Sequence, residues 1–259
     1  MRLFLSDDTH GPYAVLPPDE SKHCVRVLRM TTGDELWVTS GDGAMCRARI
    51  AVPDERSCEV EIVERLDNYQ PRPFFLHLAV APTKNPARLE WLVEKAVEIG
   101  IDRITPLLCD HSERMHLKTE RLDRIALSAM KQSLKARRPT IDQPIMLLDF
   151  LQNLDSHIHT FTHSHIQKFL CHCADGDRRT LRQLYTPGQS ALVLIGPEGD
   201  FSPREIALAL DHGFQPVTLG DSRLRTETAA LYAITVLNFL NKKQKSKNYK
   251  KATKHCTTS

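Results

Sequence analysis

The chain has 259 residues, 41% of them hydrophobic and 26% charged, with a formal net charge of +3. That balance suits a soluble globular protein and excludes a wholly disordered chain, a collagen, a coiled coil or a disulfide scaffold; the length fits one large or two modest domains. The small net charge hides an asymmetry, because residues 241–259 hold seven lysines and no acid, which leaves the other 240 residues at −4. Residues 1–70 carry 8 basic and 13 acidic side chains and lean towards β-structure. Turn signals recur at Gly11-Pro12, Pro17-Pro18, Gly33-Asp34 and Gly41-Asp42-Gly43, with β-formers between them at 35–39 and 58–63. Short strands at that spacing predict a small barrel or sandwich. Asn68–Pro73 reads as a linker, because its two prolines disfavour helix on either side.

From residue 74 the pattern changes. Phe75–Ala81 predicts a buried strand. Residues 87–99 predict a helix, with Leu89, Leu92, Val93, Ala96 and Ile99 at helical spacing and Gly100 as its stop. A strand at 104–108 and a helix at 118–136 follow, then strand candidates at 145–148, 168–173 and 191–195. Ser202-Pro203-Arg204-Glu205 opens a helix with an N-cap, a first-position proline and a capping box, ending near Gly213. A strand at 216–219 and an apolar helix at 228–240 complete the series. Alternating strands and helices predict a mostly parallel sheet with helices on both faces. The tail from Asn241 is poor in apolar residues and is expected to be disordered.

The seven cysteines form no C-x-x-C pair, so reduced thiols and a cytoplasmic location are expected. Asp7 and Asp8 break any signal-peptide apolar run. The apolar stretch at 228–240 falls short of the roughly 20 residues needed to span a bilayer, so no membrane contact is expected. His157, His159, His163 and His165 cluster near Cys171-His172-Cys173. They alternate as strand residues do, without a carboxylate-rich frame, so no metal is expected.

Two strand-to-helix bends stand out. In the first, Ala191–Ile195 runs into Gly196-Pro197-Glu198-Gly199 and then the capped helix. Ligands of parallel sheets sit at the carboxyl ends of strands, and glycines there let backbone approach closely. No G-K-[ST] or G-x-G-x-x-G accompanies it, which excludes the usual phosphate cradles. In the second, Leu219-Gly220-Asp221-Ser222-Arg223-Leu224-Arg225-Thr226-Glu227-Thr228 places two arginines and a glutamate before a nearly all-apolar helix. Read singly, the first is equally compatible with an unliganded turn, and the second with an Arg–Glu pair that only caps a helix.

Together, I-G-P-E-G at 195–199 and L-G-x-x-x-L-R-T-E-T-A at 219–229 resemble the cofactor motifs of the RsmE-type methyltransferases of the SPOUT superfamily. Arg26-Val27-Leu28-Arg29 is similar to a stretch of that family's N-terminal barrel. Lys84 and Arg88–Gly100 are similar to its K-x-x-R-x-E-W-x-V-E-K-A helix, and Ser112-Glu113-Arg114 and Gln132-Ser133 also fit. Asp200, Ser222-Arg223 and Lys131 depart from the common pattern. The resemblance implies a PUA-like β-barrel RNA-binding domain at 1–70, then a SPOUT-type trefoil-knotted α/β domain at 74–240. It also implies S-adenosylmethionine as cofactor, a homodimer with the site near the interface, and methylation of N3 of a uridine in 16S rRNA, within the 30S subunit. Under that reading Leu194, Ile195, Gly196, Pro197, Glu198 and Gly199 hold the cofactor from one bend. Leu219, Gly220, Ser222, Leu224, Arg225, Thr226 and Thr228 hold it from the other. Arg225 and Glu227 are the catalytic candidates. Lys22, Arg26 and Arg29 are candidates for RNA contact. So are Lys84 and Arg88, and Arg114, Lys131 and Arg137 within segment 112–139, which carries +5. A merely solvated helix face is the alternative for that segment. Action on a tRNA or another rRNA position, or a noncatalytic RNA-binding assembly role, are the competing functions.

Overall fold

The computed structural model describes residues 2–154, 166–173 and 179–255, with side chains up to Lys242. The chain divides into two compact units: Met1–Arg72 with Leu127–Arg138, and Pro73–Ala126 with the remainder from Pro139. The four histidines at 157–165 and Cys256 lie outside the described residues.

In the first unit, β1 (Leu3–Leu5), β2 (Tyr13–Val15), β3 (Glu35–Thr39), β4 (Met45–Val52) and β5 (Glu59–Leu66) form one sheet in the order β1-β3-β4-β5-β2. The β1–β3 pairing is parallel and the others antiparallel. Alternation along β4 and β5 turns Ala48, Ile50 and Val60 inward, where they meet Phe4, Leu16, Leu36 and Val38. Between β2 and β3 lies a short helix α1 (Pro18–Lys22) that runs into a π-helical turn, His23–Val27. No local periodicity announces that turn; Cys24, wholly buried, anchors it in the core. Ala136 packs with Leu3 and Met45, and its carbonyl accepts from Thr39 Oγ1 at 3.2 Å. Leu127–Arg138 thus completes a wall of this unit.

The second unit is an all-parallel sheet. Its elements are β6 (Leu76–Val80), α2 (Pro86–Ile99), β7 (Arg103–Leu108), α3 (Thr119–Gln132), β8 (Thr140–Ile141), β9 (Ile145–Met146), α4 (Leu147–Gln152) and β10 (Ile166–Cys171), followed by β11 (Arg179–Thr180), α5 (Leu181–Leu184), β12 (Ser190–Ile195), α6 (Pro203–Asp211), β13 (Gln215–Thr218) and α7 (Thr226–His255). The last six residues of α3 run in Leu127–Arg138, with the first unit. Strand order is β11-β13-β10-β12-β6-β7-β8, with β9 also on β7. Strands β6 and β12 are buried throughout, as strands covered on both faces should be. Phe150, Leu151 and Ala209 of α4 and α6 pack on Ala79, Leu170, Leu192 and Leu194. Helices α2 and α7 pack on each other, and α7 contacts β6 and β12. Among the described residues no helix is long and apolar enough to cross a membrane.

Four expectations shift. The helix expected at 118–136 ends at Gln132, because Leu134 turns left-handed with φ +55°. The strand expected at 145–148 gives way to helix after Met146. The last helix opens two residues earlier, at Thr226. It also continues to His255 rather than giving way after residue 240, through a stretch rich in lysine, a good helix former, and free of the helix breakers glycine and proline.

Candidate functional site

A cavity of about 680 Å³ lies at the carboxyl ends of β10, β12 and β13 in the second unit. Both bends wall it, as the carboxyl-end rule for parallel sheets requires. Ile195, Gly196, Pro197 and Glu198 of the first bend line it, as do Leu219, Gly220, Ser222, Leu224, Arg225 and Thr226 of the second. Three expected residues do not. Leu194 is fully buried and faces α4 and α6, because alternation along β12 turns it away from its neighbour Ile195. Gly199 sits against His111, and Thr228 lines a second cavity.

The first bend is tightly fixed. A Cβ on Gly196 would lie 3.1 Å from the Phe201 ring and 3.2 Å from its backbone nitrogen, so only glycine fits without a shift. Asp200 N–H donates to the Pro197 carbonyl at 2.9 Å and closes the turn, with Asp200 left-handed at φ +64°. Glu198 Oε1 accepts the Lys84 N–H at 3.0 Å, and Asp200 Oδ2 accepts the Cys173 N–H at 2.7 Å. Beyond it the capping box forms as expected: Ser202 and Glu205 bond each other's backbone N–H at the start of α6. Cys109, behind the bend, is buried; that burial, and then the Glu205 carboxylate, push its thiol far above the ordinary cysteine range.

The second bend is held mainly by its own chain. Thr218 Oγ1 accepts from Gly220 N–H at 3.2 Å and donates to Gly220 O at 3.0 Å, and Gly220 has φ +129°. One bond joins the bends: buried Thr226 donates from Oγ1 to the Gly196 carbonyl at 3.1 Å.

Arg225 lines this cavity and also a neighbouring one of about 640 Å³, shared with Arg88, Trp91 and Glu227. Glu227 is 7% exposed, and its Oε1 lies 3.8 Å from Arg88 Nε. Its ion pair is therefore with Arg88, not with Arg225 as the sequence had suggested. Its Oε2 is buried and has no hydrogen-bond partner among the described residues.

The expected RNA-contacting cations fall in both units. In the first, Lys22, Arg26, Arg29 and Arg137 are exposed. Arg26 lies on the π-helical turn, a feature common at functional sites, and Arg29 follows it with φ +54°. Lys131 is engaged by the carboxylate of Glu20. In the second unit, Lys84 Nζ meets Glu113 Oε2 at 2.7 Å. That hydrogen bond, and then the charge itself, hold the Lys84 ammonium above the usual lysine range. Arg114 donates to the Lys84 carbonyl at 3.3 Å.

Sequence reasoning overlooked Cys171, His172, Asp200 and Thr218 as cavity walls. The carboxyl-end rule, applied to β10 and β13 as it was to β12, would have found Cys171, His172 and Thr218, while Asp200 directly follows Gly199 in the first bend. Among the described residues, no group of three or more potential metal ligands exists.

A family model described as an RNA methyltransferase domain matches residues 70–238, and one described as an RNA methyltransferase PUA domain matches residues 16–63. The chain is 29% identical over 241 residues to the ribosomal RNA small subunit methyltransferase E of Aquifex aeolicus (strain VF5), across 92% of this chain and 99% of that protein. A crystal structure of a probable rRNA-methyltransferase from Porphyromonas gingivalis superposes with a TM-score of 0.82 at 40% identity, covering 93% of this chain and 98% of that one. A ribosomal RNA small subunit methyltransferase E from Neisseria gonorrhoeae, crystallised with S-adenosyl methionine, gives a TM-score of 0.80 at 26% identity, covering 93% and 98%. With both family models matched in order and the two motif-bearing bends walling one cavity, this chain belongs to the RsmE-type family of RNA methyltransferases.

Proposed function

We propose that the chain is an S-adenosylmethionine-dependent methyltransferase that modifies N3 of a uridine in 16S rRNA. The observation that carries this reading is the convergence of the 195–200 and 219–226 bends on one cavity, joined by the Thr226–Gly196 hydrogen bond. The cofactor fits the residues present: the Phe201 ring holds the cavity-lining Gly196 turn in a form that only glycine allows, and cavity and cofactor are of compatible scale. Ile195–Glu198, Leu219, Gly220, Ser222, Leu224 and Thr226 would hold it. When bound, S-adenosylmethionine supplies an electrophilic methyl group on a sulfonium sulfur.

The protein's own task is the uracil. Its N3 carries a proton near neutral pH and is a poor nucleophile until that proton leaves, so negative charge develops across N3 and the flanking carbonyl oxygens. Arg225, exposed between the two cavities, offers a guanidinium fork to those oxygens. Glu227, buried with Oε2 unpartnered, is placed to accept the N3 proton or to orient Arg88. Lys22, Arg26, Arg29 and Arg137 of the barrel, with Arg88 and Arg114 of the second unit, bind RNA phosphates. Lys84 and Lys131 contribute less, since each already faces a carboxylate. The barrel is the RNA-binding domain, and the trefoil threading that the family implies belongs to this reading. Trp91 and Tyr232, 47% exposed on the packed α2–α7 pair, support a homodimer built on that face. The protein works in the cytoplasm, on the 30S particle.

The test uses 30S subunits from cells lacking the protein, incubated with enzyme and S-adenosylmethionine. Primer extension then locates the product, because a methyl on N3 blocks base pairing. One new stop in 16S rRNA is expected. Arg225→Ala should bind cofactor normally but slow methyl transfer about 10²–10³-fold, the usual cost of a lost charge-stabilising donor. A wild-type rate in that variant removes Arg225 from the chemistry, and 16S rRNA that gains no stop while total tRNA from the same cells is methylated in a parallel incubation overturns the substrate.

A further inference from the structure

The first bend is gripped by a residue that lines no part of the cavity. His111 Nδ1 lies 3.1 Å from the Gly199 carbonyl oxygen and 3.0 Å from that of Asp200. Both partners are acceptors only, so Nδ1 must carry the hydrogen, which is shared between them. A single N–H can reach two consecutive carbonyls only if both face the same side. The left-handed Asp200, at φ +64°, provides that geometry. The His111 ring stem also fills the place where a side chain on Gly199 would go, 3.1 Å from its ideal Cβ position.

The base from which His111 acts is itself fixed. Cys109 and Ser112 close a turn around it: Ser112 N–H donates to Cys109 O at 2.9 Å, and Cys109 N–H donates to Ser112 Oγ at 2.9 Å. Asp110 is fastened to the first turn of α6. Its N–H donates to Glu205 Oε1 at 2.9 Å, and its Oδ2 accepts from Ser202 Oγ at 2.6 Å. On the far side, Asp200 is held to the end of β10 through Cys173. The bend is thus clasped between β10 and the β7–α3 loop.

We propose that His111 is a positioning residue that sets cofactor affinity by holding the Gly199–Asp200 turn in the conformation that brings Asp200 to the cavity wall. This deepens the cofactor reading above and rests on it. His111 is solvent-exposed, so its removal lets water replace the lost donor and costs the fold little. What is lost is the preorganisation of the bend.

Calorimetric titration of the full chain with S-adenosylmethionine and with S-adenosylhomocysteine tests this, together with steady-state KM and kcat on 30S subunits. His111→Ala should weaken both ligands about three- to tenfold, the scale of one ordinary hydrogen bond. It should raise the cofactor KM in step, leave kcat at saturation nearly unchanged, and leave the melting temperature of the free protein within about 2 °C. His111→Asn places an amide N–H where Nδ1–H stood and should recover most of the affinity. Wild-type affinity in His111→Ala overturns the proposal, as does equal weakening in both variants. If the unmutated protein binds neither ligand, the cofactor reading itself fails, a result that cannot be mistaken for either of those.

Discussion

The two bends that wall the cavity are built on different principles. The first is tied from several sides: by Lys84, by Cys173, by His111, by the Phe201 ring over Gly196, and by the capped helix beyond it. The second has its own Thr218–Gly220 bonds and the single Thr226 contact, and its residues 220–223 are exposed. One wall of the cavity is therefore set before anything binds, while the other is specified mostly by its local sequence. A ligand in the cavity would meet a rigid surface on one side and one of lower local stability on the other, the usual division in binding sites.

Substitutions at matched glycines test that contrast. Gly196→Ala should have the largest effect, because its new methyl would press on Phe201 backbone and ring together. Overpacking of that kind costs about 1–3 kcal/mol, so the melting temperature should fall by several degrees and cofactor binding should drop at least about tenfold. Ser202→Ala comes next. It removes a helix cap worth about 1 kcal/mol and the bond to Asp110, and should lower the melting point by about 2–4 °C on differential scanning calorimetry. Gly220→Ala should be the mildest despite its positive φ. Nothing lies within 4 Å of the added carbon, so the cost is the backbone strain of that φ alone, which the exposed bend relieves in part by shifting. A change in affinity under about threefold, or about 0.7 kcal/mol, is expected there by calorimetry. If Gly220→Ala were as damaging as Gly196→Ala, the second bend would be as rigid as the first and the contrast would vanish.

Much of the second unit was legible in the sequence because its signals are local. Five apolar residues at helical spacing between Asn85 and Gly100 specify α2, and Ser202-Pro203-Arg204-Glu205 carries its own cap. The unbroken apolar run into Gly196 marks β12 and its ligand-facing end. What was not legible depends on partners distant in the chain. The π-helical turn at 23–27 follows from Cys24 being drawn into a core formed by Phe4, Leu36 and Cys58. The pairing of Glu227 with Arg88 joins residues far apart in sequence, and nothing in either local pattern reveals it. His111 carries no motif at all; only the approach of two loops gives it a role.

The return of Leu127–Arg138 to the N-terminal unit has a consequence for how the protein is made. Thr39 and Met45 await Ala136, which leaves the ribosome about ninety residues later. Translation therefore cannot release a finished barrel once residue 72 has emerged. A fragment truncated there would expose the seam where that strip belongs, and the smallest self-sufficient version of the unit must carry a grafted copy of it.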